Sequence, residues 1–326
     1  MNKFTLFCAV LLTQINLVYA DNDLPGISVF IDEMVTKHQF ERNELESLFE
    51  KVDVKQSILK AISRPAEKSI PWYDYRKIFI TNKRIEGGVR FWQQYSDELA
   101  KAEQKYGVSA EIIVAILGVE TRYGGNVGGY RVIDALSTLA FRYPPRSTFF
   151  RSELEHFLIL TREENMSQLD PVGSYAGAMG LGQFMPSSYR EYAVDFDDDQ
   201  HRDIWTNPTD AIGSIANYLS RHGWLAGQSI VHPTTLTKGE PIELLEKGYK
   251  PSLTRVELNN AGVTLSQLPY GEDNIALISL TQKRGEEYWL ARQNFYAITR
   301  YNHSRMYAMA VTQLANEIRS QYEQEK

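Results

Sequence analysis

Glu120 stands at the end of the run Ala110-Glu111-Ile112-Ile113-Val114-Ala115-Ile116-Leu117-Gly118-Val119, apolar on almost every side when wound as a helix. Such a helix is buried on most faces, and the turn after it, Thr121-Arg122-Tyr123-Gly124-Gly125, has the glycines to open a cleft. Burial raises a carboxyl pKa and keeps the group protonated near neutrality, as a general acid requires. On this stretch alone an ion pair to Arg122 or Arg131 is an equally good reading. A second stretch runs from Ser174 to Tyr189 and alternates glycines with small and apolar residues, so that backbone can approach a ligand closely, while the Gln183 amide both donates and accepts. A third, Asp195-Phe196-Asp197-Asp198-Asp199-Gln200-His201, puts carboxylates at loop positions 1, 3 and 5 and the His201 carbonyl at position 7. That spacing wraps oxygen ligands around a hard cation such as calcium. Gln200 stands where such loops usually carry glycine, and a solvated acidic turn is the competing reading.

The elements that must hold these residues follow from periodicity. Between Gly26 and Glu103 the apolar residues recur at helical spacing, with breaks at Arg64-Pro65 and Ile70-Pro71. From Tyr106 to Trp224 compact helices are joined by glycine-rich turns. Beyond Gly227, the runs Ser229 to Val231, Arg255 to Leu258 and Ile275 to Leu280 lean towards strands, separated by Pro, Gly and Asn signals. The final stretch is helical again. Glu153, Glu155, Glu163 and Glu164 fall in a charged helical segment and read as a solvated face.

Lys3, the apolar run Phe4 to Leu12, and Val18-Tyr19-Ala20 read as a secretory signal cleaved before Asp21. The one cysteine, Cys8, lies inside that leader and lacks a lipoprotein context, so neither lipid anchor nor disulfide is expected in the exported chain. No other stretch approaches the roughly 20 apolar residues that cross a bilayer. A formal net charge of −6 over 326 residues gives no electrostatic attraction to nucleic acid or acidic membranes. The expected organisation is a signal peptide over 1–20, an N-terminal helical domain over 21–105, a chemistry-bearing core over 106–226, a small β-containing insert over 227–290, and a helical segment over 291–326 that completes the helical body.

Taken together, Gly118 to Gly125 and the glycine-rich string resemble the lysozyme-like superfamily and, in detail, the lytic murein transglycosylase B family (glycoside hydrolase family 103). The similarity extends to Tyr73–Ile80, Arg142–Arg146, Asn217-Tyr218 and Asn294–Asn302. It implies a mainly α protein with a lysozyme-like catalytic core, an outer helical domain and a small β-containing insert. It implies Glu120 as the single catalytic acid/base, and glycan contacts at Tyr75, Arg146, Ser174, Gln183, Tyr218, Tyr301 and Tyr307. For Tyr301 and Tyr307 a packed core ring with a satisfied hydroxyl is the alternative. The acidic loop becomes an EF-hand-like site for a structural calcium ion, held by Asp195, Asp197, Asp199 and His201 and closed by Asp210; catalysis itself needs no cofactor. The implied partner is the peptidoglycan glycan strand, cut between N-acetylmuramic acid and N-acetylglucosamine with closure of a 1,6-anhydro ring by a soluble periplasmic enzyme. A muramidase or chitinase-like hydrolase on the same core is one alternative. An inactive calcium-stabilised peptidoglycan-binding protein is the other, and Glu120 argues against it.

Overall fold

The computed structural model describes residues 23–63, 70–269 and 274–326. The leader expected over 1–20 and the break expected at Arg64-Pro65 lie outside them. The first helices are α1 (Ile27–His38), α2 (Arg42–Phe49), α3 (Gln56–Ile62), α4 (Trp72–Phe79), α5 (Asn82–Gln94) and α6 (Ser96–Tyr106). Local chemistry sets their ends. The Thr81 side chain accepts the Arg84 N–H to start α5, and Gly107 ends α6 in a left-handed conformation at φ 71.

Helix α7 (Ala110–Thr121) carries Glu120 in its last turn. It is apolar all round because α5 and α6 pack against it, as do two later helices, α11 (Pro208–Arg221) and α15 (Arg305–Gln324). Its end is locked by Tyr123, whose ring wedges between α5 and α7. A Cβ on Gly118 would sit 2.5 Å from the Tyr123 hydroxyl oxygen, and one on Gly88 2.7 Å from it, so only glycine fits at either position. The hydroxyl donates to the Arg84 carbonyl at 2.7 Å.

After α7 come the short strand β1 (Tyr130–Arg131), α8 (Val132–Arg142), α9 (Ser147–Glu163), the strand β2 (Val172–Gly173), α10 (Pro186–Tyr192) and α11. The antiparallel pair Tyr130↔Gly173 and Arg131↔Val172 was not anticipated from the sequence. It lays the glycine-rich string against the turn that follows Glu120. The approach is close: a Cβ on Gly128 would meet the Gly173 carbonyl oxygen at 2.0 Å.

The sheet of the C-terminal third is formed by β3 (Val231–Thr234), β4 (Ala276–Thr281) and β5 (Glu286–Ala291), antiparallel in the order β3-β5-β4. Between β3 and β4 lie α12 (Ile242–Leu245) and α13 (Arg255–Asn260). Leu253, Leu258, Val263, Leu268, Ile275, Leu277 and Leu290 form a small core separate from the main one. The strand reading of Arg255 to Leu258 is overturned. Thr254 and Glu257 form a capping box, each side chain accepting the other's backbone N–H, and this reciprocal pair nucleates a helix where Val256 and Leu258 read as alternation. The chain closes with α14 (Gln293–Tyr301) and α15, which returns to pack on α4, α5 and α7. The described protein is mainly helical, and no helix among its described residues is long and apolar enough to cross a membrane.

The acidic face of α9 also needs correction. Glu153 is only 5% exposed, and its carboxylate accepts the Ser187 N–H at 2.9 Å and the Ser187 hydroxyl at 2.7 Å, fixing the first turn of α10. Glu155 meets His38 at 2.7 Å, Glu163 pairs with Arg190, and Glu164 pairs with Arg202. These are structural carboxylates that tie helices together.

Candidate active site and cation loop

Glu120 is half-buried, and its carboxylate meets a residue 187 positions further along the chain: the Tyr307 hydroxyl donates to Glu120 Oε1 at 2.6 Å. Tyr307 sits in the first turn of α15, which begins where the Ser304 side chain accepts the Tyr307 N–H. Burial drives the phenols of Tyr301 and Tyr307 well above their ordinary range, and the Glu120 charge beside both adds to it; Tyr75 acts on Tyr307 in the same direction. Both therefore stay neutral, and Tyr307 is a fixed donor to the carboxylate. The ion pairs considered for Glu120 go elsewhere. Arg131 binds Asp134 at 2.8 Å and Asp53 at 3.4 Å, and Arg122 is exposed with no ion pair among the described residues.

The structure gathers Tyr75, Tyr301 and Tyr307 around Glu120. The Tyr301 hydroxyl donates to the Gly182 carbonyl at 2.6 Å. Tyr218, pushed up to about 12 by burial and by Tyr192, donates to the Arg300 carbonyl at 2.6 Å and packs edge to face on Tyr301 at 4.8 Å. These two rings are thus packed and satisfied by backbone, holding the glycine-rich string against α14. Tyr75 is 2% exposed, between Trp72 and Phe79.

Gln183 and Ser174 shape the facing wall. Gln183 lies in the left-handed region at φ 52, and its amide donates to the Gly180 carbonyl at 2.9 Å and the Val127 carbonyl at 3.2 Å. It clamps the string to the turn that follows Glu120 and leaves its own carbonyl for a ligand. The Ser174 hydroxyl accepts the Ala176 and Ala178 N–H groups at 3.3 and 3.1 Å, which leaves its proton to donate. Arg146 is exposed, its guanidinium over Phe149 and Phe150 at 4.5 and 4.9 Å, and no contact among the described residues joins it to the Glu120 cluster. Thr121, missed in the sequence, ties the two motifs together: its buried hydroxyl donates to the Leu181 carbonyl at 2.9 Å and accepts the Gly124 N–H at 3.1 Å. The cue was the hydroxyl directly after Glu120.

Replacing Tyr307 by Phe removes a hydrogen bond to a charged group, worth about 1.5–3 kcal/mol. If that bond favours the productive carboxylate geometry, kcat is expected to fall roughly 10- to 100-fold at unchanged substrate affinity. Steady-state kinetics on purified peptidoglycan check this, and an unchanged kcat would leave Tyr307 with packing alone.

In the acidic loop, oxygens of Asp195, Asp197 and Asp210 lie within 4.8 Å of one another. Asp210, on the first turn of α11, is fully buried. It accepts the Phe196 N–H at 2.7 Å and the Asp203 N–H at 2.8 Å. Burial pushes its pKa up to about 6 against those hydrogen bonds, with the Asp197 and Asp195 charges adding. None of the three is ion-paired to a cationic side chain among the described residues. Asp199 stands outside the group, its carboxylate accepting the His201 N–H at 2.8 Å. Gln200 takes φ 74, the left-handed conformation expected of glycine there. A compact set of hard oxygens around one buried carboxylate fits calcium chemistry.

Comparison with known proteins bears on the chain as a whole. The family model described as "Transglycosylase SLT domain" matches residues 24–316. The membrane-bound lytic murein transglycosylase B of Escherichia coli (strain K12) is 43% identical over 309 residues, covering 92% of this chain and 84% of that protein. The catenated lytic transglycosylase SltB1 from Pseudomonas aeruginosa superposes with a TM-score of 0.87 at 49% identity, over 92% of this chain and 99% of the other. The Escherichia coli lytic transglycosylase Slt35 in complex with calcium does so with a TM-score of 0.83 at 44% identity, over 92% and 94% of the two chains. With the motifs, the helical architecture and these matches in agreement, the chain belongs to the lytic murein transglycosylase B family of SLT-domain proteins, on a lysozyme-like fold.

Proposed function

We infer that the protein is a lytic transglycosylase of peptidoglycan, cutting the β-1,4 bond between N-acetylmuramic acid and N-acetylglucosamine through Glu120 alone. The observation that carries this is the Tyr307–Glu120 contact at 2.6 Å in a cluster of neutral phenols. Among the described residues the buried carboxylates, Asp134, Glu153 and Asp210, are each committed elsewhere, to Arg131, Ser187 and the acidic loop. Ordinary glycosidases need two carboxyl groups, and substrate assistance is the known way to work with one. Protonated Glu120 gives its proton to the glycosidic oxygen as the bond to C1 breaks, and the N-acetyl carbonyl of the muramic sugar supports the positive charge developing at C1. The resulting carboxylate takes the proton from that sugar's 6-hydroxyl. The oxygen closes on C1, which leaves a 1,6-anhydro ring and a neutral Glu120. Tyr307 holds the carboxylate between the two proton transfers. Gln183 and Ser174 form the wall that receives the strand, Tyr75, Tyr218 and Tyr301 back it from behind, and Arg146 extends it.

The proposed division of labour keeps the core over 106–226, with the sheet-bearing insert over 227–290 and the terminal helices as its support. Calcium, held by Asp195, Asp197 and Asp210, supplies charge neutralisation to the loop and takes no part in bond breaking; Asp199 and the His201 carbonyl are the further donors within the same turn. Export by the N-terminal leader to the periplasm, where the glycan lies, completes the reading. Mass spectrometry of sugars released from purified peptidoglycan tests it. Muropeptides ending in 1,6-anhydro-N-acetylmuramic acid, lighter by one water than the hydrolytic products, are expected. Reducing ends would make the enzyme a hydrolase, and no release would make it a binding protein.

A further inference from the structure

Helices α7 and α15 run antiparallel between two places. At one end Glu120 meets Tyr307. At the other, Glu111 of α7 and Thr312 to Glu323 of α15 line a cavity of 810 Å³, about 14 Å from Glu120 along α7 at 1.5 Å per residue. We propose that this cavity is a second glycan-binding site, one that holds a neutral N-acetylhexosamine stretch of the strand while Glu120 works on another part of it. The proposal rests on the transglycosylase reading for its substrate class.

Of the protein's five tryptophans, Trp92, Trp224 and Trp289 line this space. Trp92 stacks flat on Tyr322 at 4.3 Å and 7°, so the pair forms a rigid aromatic wall. Flat aromatic faces bury the C–H faces of pyranose rings at little entropic cost, because the rings are already fixed. The volume lies within the range of small-ligand sites, about 300–1,000 Å³.

Two polar atoms of lining residues, the Trp289 indole Nε1 and the Gln228 amide Oε1, are buried with no hydrogen-bond partner. A buried polar group left without a partner is costly, and a ligand that supplies one removes that cost. Neither atom is exposed as it stands; a small turn of either side chain towards the cavity would let an acetamido group meet it, its carbonyl accepting from the indole or its N–H donating to the amide. The charged rim selects among strands. Glu103, Glu111 and Glu323 face Arg319, which reaches Glu111 at 3.5 Å and Glu323 at 2.8 Å. Burial and the neighbouring Glu111 raise the Glu103 pKa. The one other cation of the lining, Lys326, lies over the Tyr322 ring at 4.6 Å. This surplus of carboxylates repels the carboxylates of stem peptides and admits an uncharged sugar.

The test titrates chitotetraose into the unmodified protein and follows the indole N–H resonances. The Trp289 resonance is expected to shift saturably; a Trp289 signal that stays still while chitotetraose binds elsewhere overturns the proposal. In parallel, Trp289→Ala is expected to slow release from insoluble sacculi several-fold and to leave turnover of short soluble glycan unchanged. Equal loss on both substrates, or no loss on sacculi, also overturns it. If the unmodified enzyme released nothing from either substrate, the transglycosylase reading would fall by itself, because the indole titration needs no turnover.

Discussion

Glu120→Gln is expected to remove measurable release of muropeptides from purified peptidoglycan while leaving strand binding in place. Glutamine keeps the shape of the side chain and can still accept the Tyr307 hydroxyl, whose oxygen lies 2.6 Å from Glu120 Oε1. What it loses is the proton to give to the leaving oxygen and the basicity to take one from the 6-hydroxyl. Each such role is worth about 10²–10⁴ in rate, and here one group carries both. Turnover is measured by chromatography of soluble products, binding by co-sedimentation with sacculi. Activity within tenfold of the unmodified enzyme would remove Glu120 from the mechanism, and loss of binding together with activity would point to a damaged fold.

Removal of calcium is expected to lower the melting temperature. An ion bound only by the folded state stabilises it by RT ln(1 + [L]/Kd), about 2.7 kcal/mol at a hundredfold excess over Kd. For a chain of this size that corresponds to roughly 4 °C. The Asp195, Asp197 and Asp210 oxygens lie within 4.8 Å of one another, so their repulsion is released when the ion leaves no charge to offset it. Differential scanning calorimetry in calcium and in chelator gives the comparison. Asp197→Asn, at an exposed member of the set, should shrink the difference without unfolding the protein. Equal midpoints in both buffers, with no calcium retained after dialysis, would reduce the loop to a solvated turn.

Much of this site is written locally. The apolar circumference of Ala110 to Val119 needs burial on every side, and α5, α6, α11 and α15 provide it. Asp195 and Asp197 are two residues apart, so their convergence is a property of the loop itself. What escaped the sequence is what depends on distant backbone. The Tyr218 and Tyr301 hydroxyls are met by the carbonyls of Arg300 and Gly182, and carbonyls leave no mark on residue type. Glu153 lies among charged neighbours on α9, and only the docking of α10 shows that Ser187 consumes its carboxylate. At Arg255 to Leu258 the side-chain alternation was visible and misleading, because the Thr254–Glu257 capping box outweighed it. The Glu120–Tyr307 pairing was not legible: the family resemblance singled out both residues but gave Tyr307 as a glycan contact, and no periodicity links residues 187 positions apart.

That separation sets an order of events during synthesis. A ribosome delivers Glu120 long before Tyr307, so α7 emerges without the helix that closes one of its sides and supplies its phenol. Contacts so far apart in sequence carry a loop-closure cost that local contacts do not. The carboxylate therefore stays unaligned until α15 has docked on α7, and a fragment ending before α15 would carry Glu120 without its phenol donor.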